Sequence, residues 1–347
     1  MTAEDPLEGI RERIRTLDQD LLTRAAERVR LARELGSIKR DRGLPTVDYA
    51  QEREVLTRAR DLARSLGLEE FLAEDLLARL IRAAVSAQDE DRLRVHAAGA
   101  GKEAVVVGGA GRMGRWLERF LSAQGYVTRV LDPAVDPEEA ERGRAALQTA
   151  DLVLCATPPQ ACAALYREWR DAPPAGVIAD IASIKTPLIE PIRALQRAGA
   201  RVGSLHPMFG PSIVLLREAD VVVCETGDEE ATAAVEELFR PTTVRLVRLP
   251  LEAHDRIMGD LLSLAHAAAI AFAVALPPEA HPVRSTTFQA LETLARAVVR
   301  ESPDVYYEIQ AGNPESSAAV SRLRAALDRI IEAVEARDVE AFPHMMA

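Results

Sequence analysis

Aromatic residues make up only 4% of the 347 positions, and there are three cysteines. Cys155, Cys162 and Cys224 are too few and too scattered for a disulfide framework or a zinc site, so no metal is expected. Cys155 and Cys224 sit in apolar, strand-like runs and read as small buried hydrophobes, which makes a reducing cytoplasm the simplest compartment. No unbroken apolar run of about eighteen residues occurs, so no membrane span is expected. An excess of positive charge is also missing. Lys and Arg total 43 against 54 Asp and Glu, a net charge of −11. That balance argues against nucleic acid or an anionic membrane as the main partner. The opening MTAEDPLEGIRERI lacks the basic-then-apolar order of a signal peptide. Any anionic substrate must be gripped by local Arg and Lys against an unfavourable overall field.

What is present divides into three parts. The 48% hydrophobic content suffices for two or three cored domains. Residues 1–95 read as all-helical. Leu7, Ile10, Ile14, Leu17, Leu21, Leu22, Val29, Leu31, Leu35 and Ile38 recur at helical spacing. Gly43-Leu-Pro45 breaks the pattern, a second helix follows over about 48–66, and a third over about 69–91. A first helix that long cannot bury its apolar face against two shorter ones, which predicts a homodimer. Arg28 and Lys39 are eleven residues apart and so differ by only about 20° around the axis. Asp48 and Glu52 lie one turn apart, and Gln88 sits amid Leu80, Ile81 and Val85. The spacing alone supports a helical bundle with a pocket for an anion.

Residues 104–250 read as an α/β Rossmann domain. Ala104-Val-Val-Val107 is a buried-type strand, Gly109-Ala-Gly111-Arg112-Met113-Gly114 follows at once, and Trp116 to Leu121 continues as helix. G-x-G-x-x-G is weak alone and strong between a strand and a helix. In this reading Gly109 permits the tight turn, Gly111 lets the backbone approach a pyrophosphate, and Gly114 allows close packing. The next strand, Val127–Leu131, ends in Asp132. A carboxylate there accepts from ribose hydroxyls and repels a 2′-phosphate, favouring NAD over NADP. Asp151–Pro158 is expected to be a fourth strand whose terminal loop, with Thr157, borders the cofactor. Val177–Asp180 leads to Ser183 and Lys185, and Val202–Leu205 leads to His206 in a loop stiffened by Pro207, Gly210 and Pro211. A histidine so held can accept a proton near neutral pH. Residues 251–347 read as helical, with segments from Glu252 through His266 to Ala275, over 286–300 and over 318–334.

Two motif sets carry a resemblance. Leu7-Glu-Gly-Ile-Arg11, Ala26–Ala32, Gly36-Ser-Ile-Lys39, Asp48 with Glu52, and Gln88 resemble the all-helical chorismate mutases. Ser183–Lys185 together with His206-Pro-Met-Phe-Gly-Pro211 resembles the prephenate dehydrogenases. In that order the chain is similar to the bifunctional chorismate mutase–prephenate dehydrogenases. The resemblance implies that chorismate rearranges in the first module and that prephenate is oxidatively decarboxylated in the second. Arg11, from a partner chain, and Arg28 would grip the two carboxylates of chorismate. Lys39 and Gln88 would bond its ether oxygen, and Asp48 and Glu52 would meet the ring-hydroxyl side. In the dehydrogenase, His206 would take the proton of the C4 hydroxyl, Ser183 would orient it, and Lys185 would bring positive charge near substrate or cofactor. His254, in the His254-Asp255 pair, would contact substrate. His266, on an apolar helix face, is expected to be a core histidine. The C-terminal helices would form the dimer.

The chain departs from these families at four positions. Gln51 and Ala84 stand where an Arg and a Ser are usual in the mutases. Ala297 and Gln289 stand where the dehydrogenases place arginines. Arg296, beside Ala297, is the substitute expected to bind the prephenate carboxylate, and Arg300 lies one turn on. This gap leaves arogenate or an amino analogue of prephenate open as the substrate. Ala84 leaves open a helical module that only dimerises or regulates.

Overall fold

The computed structural model describes residues 6–45, 48–213, 216–276, 283–299 and 302–346. The first module is a three-helix assembly of α1 (Pro6–Asp41), α2 (Tyr49–Leu66) and α3 (Glu70–His96). Asp48 caps α2 by accepting from the Gln51 amide at 3.0 Å, and Gly67 ends it in the left-handed region at φ 67°. α3 outruns its expected end at Asp91, because Leu93 buries in the core under the neighbouring sheet. α1 and α2 both pack on α3. That leaves one side of α1 bare: Ile10, Ile14, Leu17, Leu21 and Leu22 are exposed, Leu22 by 68%.

A short turn at Ala97–Lys102 leads into a seven-stranded sheet. The strands are β1 (Glu103–Val107), β2 (Val127–Leu131), β3 (Leu152–Cys155), β4 (Val177–Asp180), β5 (Arg201–Pro207), β6 (Asp220–Glu225) and β7 (Arg245–Pro250). Their spatial order is β2-β1-β3-β4-β5-β6-β7. All neighbours run parallel except β5 and β6. The run at Asp151, expected as a fourth strand, is therefore the third in the chain and lies directly beside β1. The helices α4 (Arg112–Ala123), α5 (Pro137–Ala146), α6 (Pro159–Glu168), α7 (Ile189–Arg197) and α8 (Glu229–Glu237) alternate with the strands.

The sheet residues sort by parity into two cores. Val105, Val107, Val153, Cys155, Ile178 and Val202 face one side. Ala104, Val106, Leu152, Leu154, Val177 and Ala179 face the other. Both faces are buried, as the continuous Val- and Ala-rich strand sequences require.

After β7 the chain turns into one helical run. It comprises α9 (His254–Met258), a π-helical turn at Gly259–Leu264, and α10 (Ala265–Ala275). By length and composition alone the run Leu251–Ala275 could cross a membrane, with a mean hydropathy of 1.8 in its best window. It is not an unbroken apolar run, since Asp260, Ser263 and His266 interrupt it, in line with the sequence expectation. In the fold it carries His254 and Asp255 to the edge of the sheet. α11 (Thr286–Val299), α12 (Pro303–Gly312), α13 (Ser316–Ala336) and α14 (Ala341–Met346) follow. α12 has no counterpart in the sequence reading. It packs on the π-helical turn, where Gln310 Nε2 donates to the Ser263 carbonyl at 2.8 Å, and α13 joins the same turn through the Ser316 hydroxyl, 2.6 Å from that of Ser263.

Candidate active sites

β1 to β5 run parallel, so their C-terminal ends share one edge of the sheet, where open α/β sheets place ligands. A crevice of about 550 Å³ opens there, lined among others by Gly108, Gly111, Asp132, Thr157 and Pro158. The glycine turn shapes it. The left-handed residue is Gly108, at φ 81°, where a Cβ would also come within 2.9 Å of the Ala156 carbonyl oxygen. This corrects the assignment of the tight turn to Gly109, which instead packs against Val130. A Cβ on Gly114 would lie 2.2 Å from the Gly108 carbonyl oxygen. Gly111 stands at the N-cap of α4, whose first turn no side chain caps.

At the end of β2, Asp132 accepts from the Ala110 amide at 3.1 Å and the Ala134 amide at 2.8 Å. Its carboxylate thereby ties the glycine turn to the following loop. Thr157 Oγ1, across the crevice, is buried with no hydrogen-bond partner. Arg112 and Met113 open α4, the first exposed and the second half-buried. An uncapped helix N-terminus, a strand-end carboxylate and an orphaned hydroxyl around an apolar slot fit a dinucleotide. Gly111 and the α4 amides would hold the pyrophosphate, Asp132 a ribose, and Thr157 a polar group of the nicotinamide half.

Two strands from β3, at about 10 Å, β5 presents His206 at the same edge, 4% exposed. His206 Nδ1 lies 2.9 Å from His254 Nε2, and His254 Nδ1 lies 2.7 Å from Asp255 Oδ1. The Asp255 carboxylate also accepts from the Lys185 amide (2.8 Å), the Thr186 amide (2.7 Å) and the Thr186 hydroxyl (2.6 Å). Asn313, just past α12, donates to the Asp255 carbonyl at 2.8 Å.

The tautomers follow from the anion. Burial pushes the Asp255 carboxyl up, but the hydrogen bonds from His254, Thr186 and Lys185 outweigh it and hold Asp255 below the ordinary carboxylate range. Ionised Asp255 accepts a hydrogen bond from the Nδ1–H of His254. The bare Nε2 of His254 accepts one from the Nδ1–H of His206, which leaves His206 Nε2 as the basic nitrogen. Burial, with His254 and Lys185 adding to it, pushes His206 well below the ordinary imidazole value. His254 is lowered by burial as well, against the pull of Asp255. The pair is neutral at physiological pH and arranged as a base backed by a buried carboxylate.

Three expected residues fall elsewhere. Lys185 is fully buried, its ammonium 2.5 Å from Asp180 Oδ1 and 2.6 Å from the Leu205 carbonyl oxygen. It braces β4 against β5 and does not face the crevice, because a buried carboxylate claims its charge. Ser183 is half-buried after β4 and makes no hydrogen bond to His206. Arg296 stands exposed on α11, paired with Glu292 at 2.7 Å, and α11 packs mainly on α10. Within one chain it is not brought to His206. Arg300 lies outside the described residues. His266 is half-buried with Nδ1 unpartnered, its ring edge-on to Tyr306 at 4.7 Å.

In the helical module Arg28, Lys39, Glu52 and Gln88 come from all three helices. Arg28, half-buried, has its pKa lowered by burial. Asp48 serves as the cap of α2 and is exposed. Gln88 is buried against Gly36, where a Cβ would lie 2.7 Å from Gln88 Cγ, and its amide donates to the Ala32 carbonyl at 2.6 Å. In this arrangement it bridges α1 and α3, where the sequence reading had it facing an ether oxygen. Glu52 is claimed by Arg217, from the segment between β5 and β6, with contacts of 2.6 and 2.9 Å. No sequence pattern pointed to Arg217. Arg11 is exposed near the far end of α1, seventeen residues and about 25 Å from Arg28 along the helix.

Fold and sites together define a helical mutase-type module joined to a nucleotide-binding dehydrogenase. Residues 10–89 match the family of type II chorismate mutases, and residues 134–248 match the prephenate dehydrogenase nucleotide-binding domain. The T-protein of Enterobacter agglomerans is 27% identical over 349 residues, 99% of this chain and 91% of that protein. The 4-amino-4-deoxyprephenate dehydrogenase of Streptomyces pristinaespiralis is 33% identical over 264 residues, 70% of this chain and 88% of that one. A prephenate dehydrogenase from A. aeolicus, solved with hydroxyphenyl propionate and NAD+, shares the fold. Its TM-score is 0.56 at 16% identity, covering 71% of this chain and 94% of that one. The chain belongs to the bifunctional chorismate mutase–prephenate dehydrogenase family.

Proposed function

We propose that the chain performs two successive steps of tyrosine biosynthesis. The helical module rearranges chorismate to prephenate. The dehydrogenase module then converts prephenate, with NAD, to 4-hydroxyphenylpyruvate and carbon dioxide. The observation that carries the second step is the His206–His254–Asp255 relay at the strand edge that also bears the dinucleotide crevice.

NAD, when bound, supplies the acceptor for the hydride leaving C4. His206 Nε2 takes the proton of the C4 hydroxyl as that hydride departs. Loss of the ring carboxyl as carbon dioxide leaves its electron pair to close the aromatic ring, and the phenolic oxygen recovers a proton. His254 and Asp255 hold His206 in the tautomer that keeps Nε2 bare, and they offset the positive charge that forms on it. In the mutase no covalent step is needed. Arg28 and Lys39 hold the dianion in its reactive conformer and stabilise charge on the breaking ether oxygen.

Arg11 is too far from Arg28 to serve the same pocket in one chain, so it would act on the site of a second copy. The bare side of α1 and the largely unburied Leu251–Ala275 helix supply apolar surface for a homodimer. All three cysteines are unpaired and buried, in keeping with a cytoplasmic protein.

A second reading has its own support. The 33% relative is a dehydrogenase of 4-amino-4-deoxyprephenate, and Ala297 removes an expected carboxylate ligand. His206 could take a proton from a C4 amino group as from a hydroxyl. Steady-state turnover on prephenate, arogenate and 4-amino-4-deoxyprephenate decides between the readings. Prephenate is expected to give the highest kcat/KM, and a preference of tenfold or more for the amino compound would replace the first reading with the second.

A further inference from the structure

The two modules meet at a polar cluster built around Arg217, eleven residues after His206 in the chain. Its guanidinium crosses from the dehydrogenase to the helical module and grips both oxygens of Glu52, Nη1 to Oε1 at 2.6 Å and Nη2 to Oε2 at 2.9 Å. The two side chains are only 17% and 19% exposed. The guanidinium carbon also lies 5.6 Å from the centre of the Tyr49 ring, on the first turn of α2. Beside it, Asp89 accepts from the Thr243 hydroxyl at 2.5 Å, a second link between the same two modules.

Glu52 is the residue placed against the ring-hydroxyl side of chorismate, and chorismate is a dianion. A lone carboxylate in that pocket would repel its substrate and would be free to rotate. A bidentate guanidinium fixes the plane of the carboxylate and cancels its charge, two effects that a surface ion pair supplies only weakly. We propose that Arg217 is a positioning residue of the mutase site, so that the dehydrogenase module completes the mutase. The inference rests on reading the helical module as a chorismate mutase.

The test uses the full chain, following chorismate consumption and, on the same sample, NADH formation from added prephenate. Arg217→Gln is expected to lower mutase kcat/KM by tenfold to a hundredfold while dehydrogenase kcat stays within twofold, which also reports that the protein is folded. Arg217→Lys restores the charge without the fork, so KM for chorismate should recover more than kcat. Because Arg217 acts through Glu52, the double variant Glu52→Gln, Arg217→Gln should be no worse than Glu52→Gln alone. Mutase activity unchanged in Arg217→Gln overturns the proposal. So do losses that multiply in the double variant, which mark a residue acting independently of Glu52, or a fall shared equally by both activities, which marks a residue that holds the fold and not the mutase site. A wild-type protein that rearranges no chorismate overturns the mutase reading itself, and this inference with it.

Discussion

Replacing His254 by Leu tests the relay in the dehydrogenase site. His206 Nδ1–H would lose the acceptor that it now has at 2.9 Å. Asp255 would stay satisfied, because the Lys185 amide, the Thr186 amide and the Thr186 hydroxyl still donate to it. The substitution thus strands one buried donor and leaves the carboxylate paired, so the fold should survive. Stranding a buried donor costs about 1 to 3 kcal/mol. His206 escapes that cost by moving its proton to Nε2, the tautomer that cannot act as a base. Forcing it back during turnover returns the cost to the barrier, which corresponds to a fall of about 5- to 150-fold in kcat. His254→Gln offers an amide oxygen in roughly the same place and should keep kcat within about tenfold of wild type. The assay is NADH absorbance with saturating prephenate and NAD, with mutase activity measured alongside. A His254→Leu enzyme with undiminished kcat, or one that loses mutase activity in step, would refute the relay.

Three other outcomes follow from buried charges. Lys185→Met leaves the Asp180 carboxylate buried without its cation, a cost of about 3 to 5 kcal/mol. It should lower the thermal transition by roughly 10 °C with little change in KM for prephenate. Unchanged stability with a raised KM would restore the substrate-facing role. Because burial depresses His206, its basic form persists below the ordinary histidine range. Dehydrogenase kcat/KM should then stay level as pH drops through 6.5 and decline only at more acid pH; an acid limb centred on 6.5 would contradict the buried geometry. Burial raises Asp89 to about 6, so below 3.8 it adds nothing to the pH dependence, and stability is lost as pH rises from there through 6. Asp89→Asn should therefore match wild type in thermal stability near pH 4 and exceed it above pH 7, and an equal difference at both would rule out that titration.

The elements legible in the sequence were those with a strong local signal. Helical periodicity marked α1, α2 and α13, and the glycine run between β1 and α4 located the crevice. His206 stood out because two prolines and a glycine stiffen its surroundings. Residues whose role depends on distant partners were harder to place. Lys185 carries a family motif, yet its orientation is set by Asp180 and the Leu205 carbonyl. Gly108 adopts the left-handed conformation that the spacing rule assigned to its neighbour. The antiparallel turn between β5 and β6 sends Arg217 across to Glu52, a contact between residues 165 apart in sequence. Asn313 supports Asp255 from the end of α12, a helix that lacked a periodic signature. Only its Asn-Pro sequence, a common turn signal, could have marked the place.

Supplying chorismate and NAD, and no prephenate, to the purified chain tests the two-step account most directly. Absorbance at the NADH band should rise after a short lag, as the first module fills the second with its substrate, and 4-hydroxyphenylpyruvate should accumulate in equal amount. A flat trace with chorismate would contradict it, and the trace with prephenate given instead would show whether the first step or both had failed.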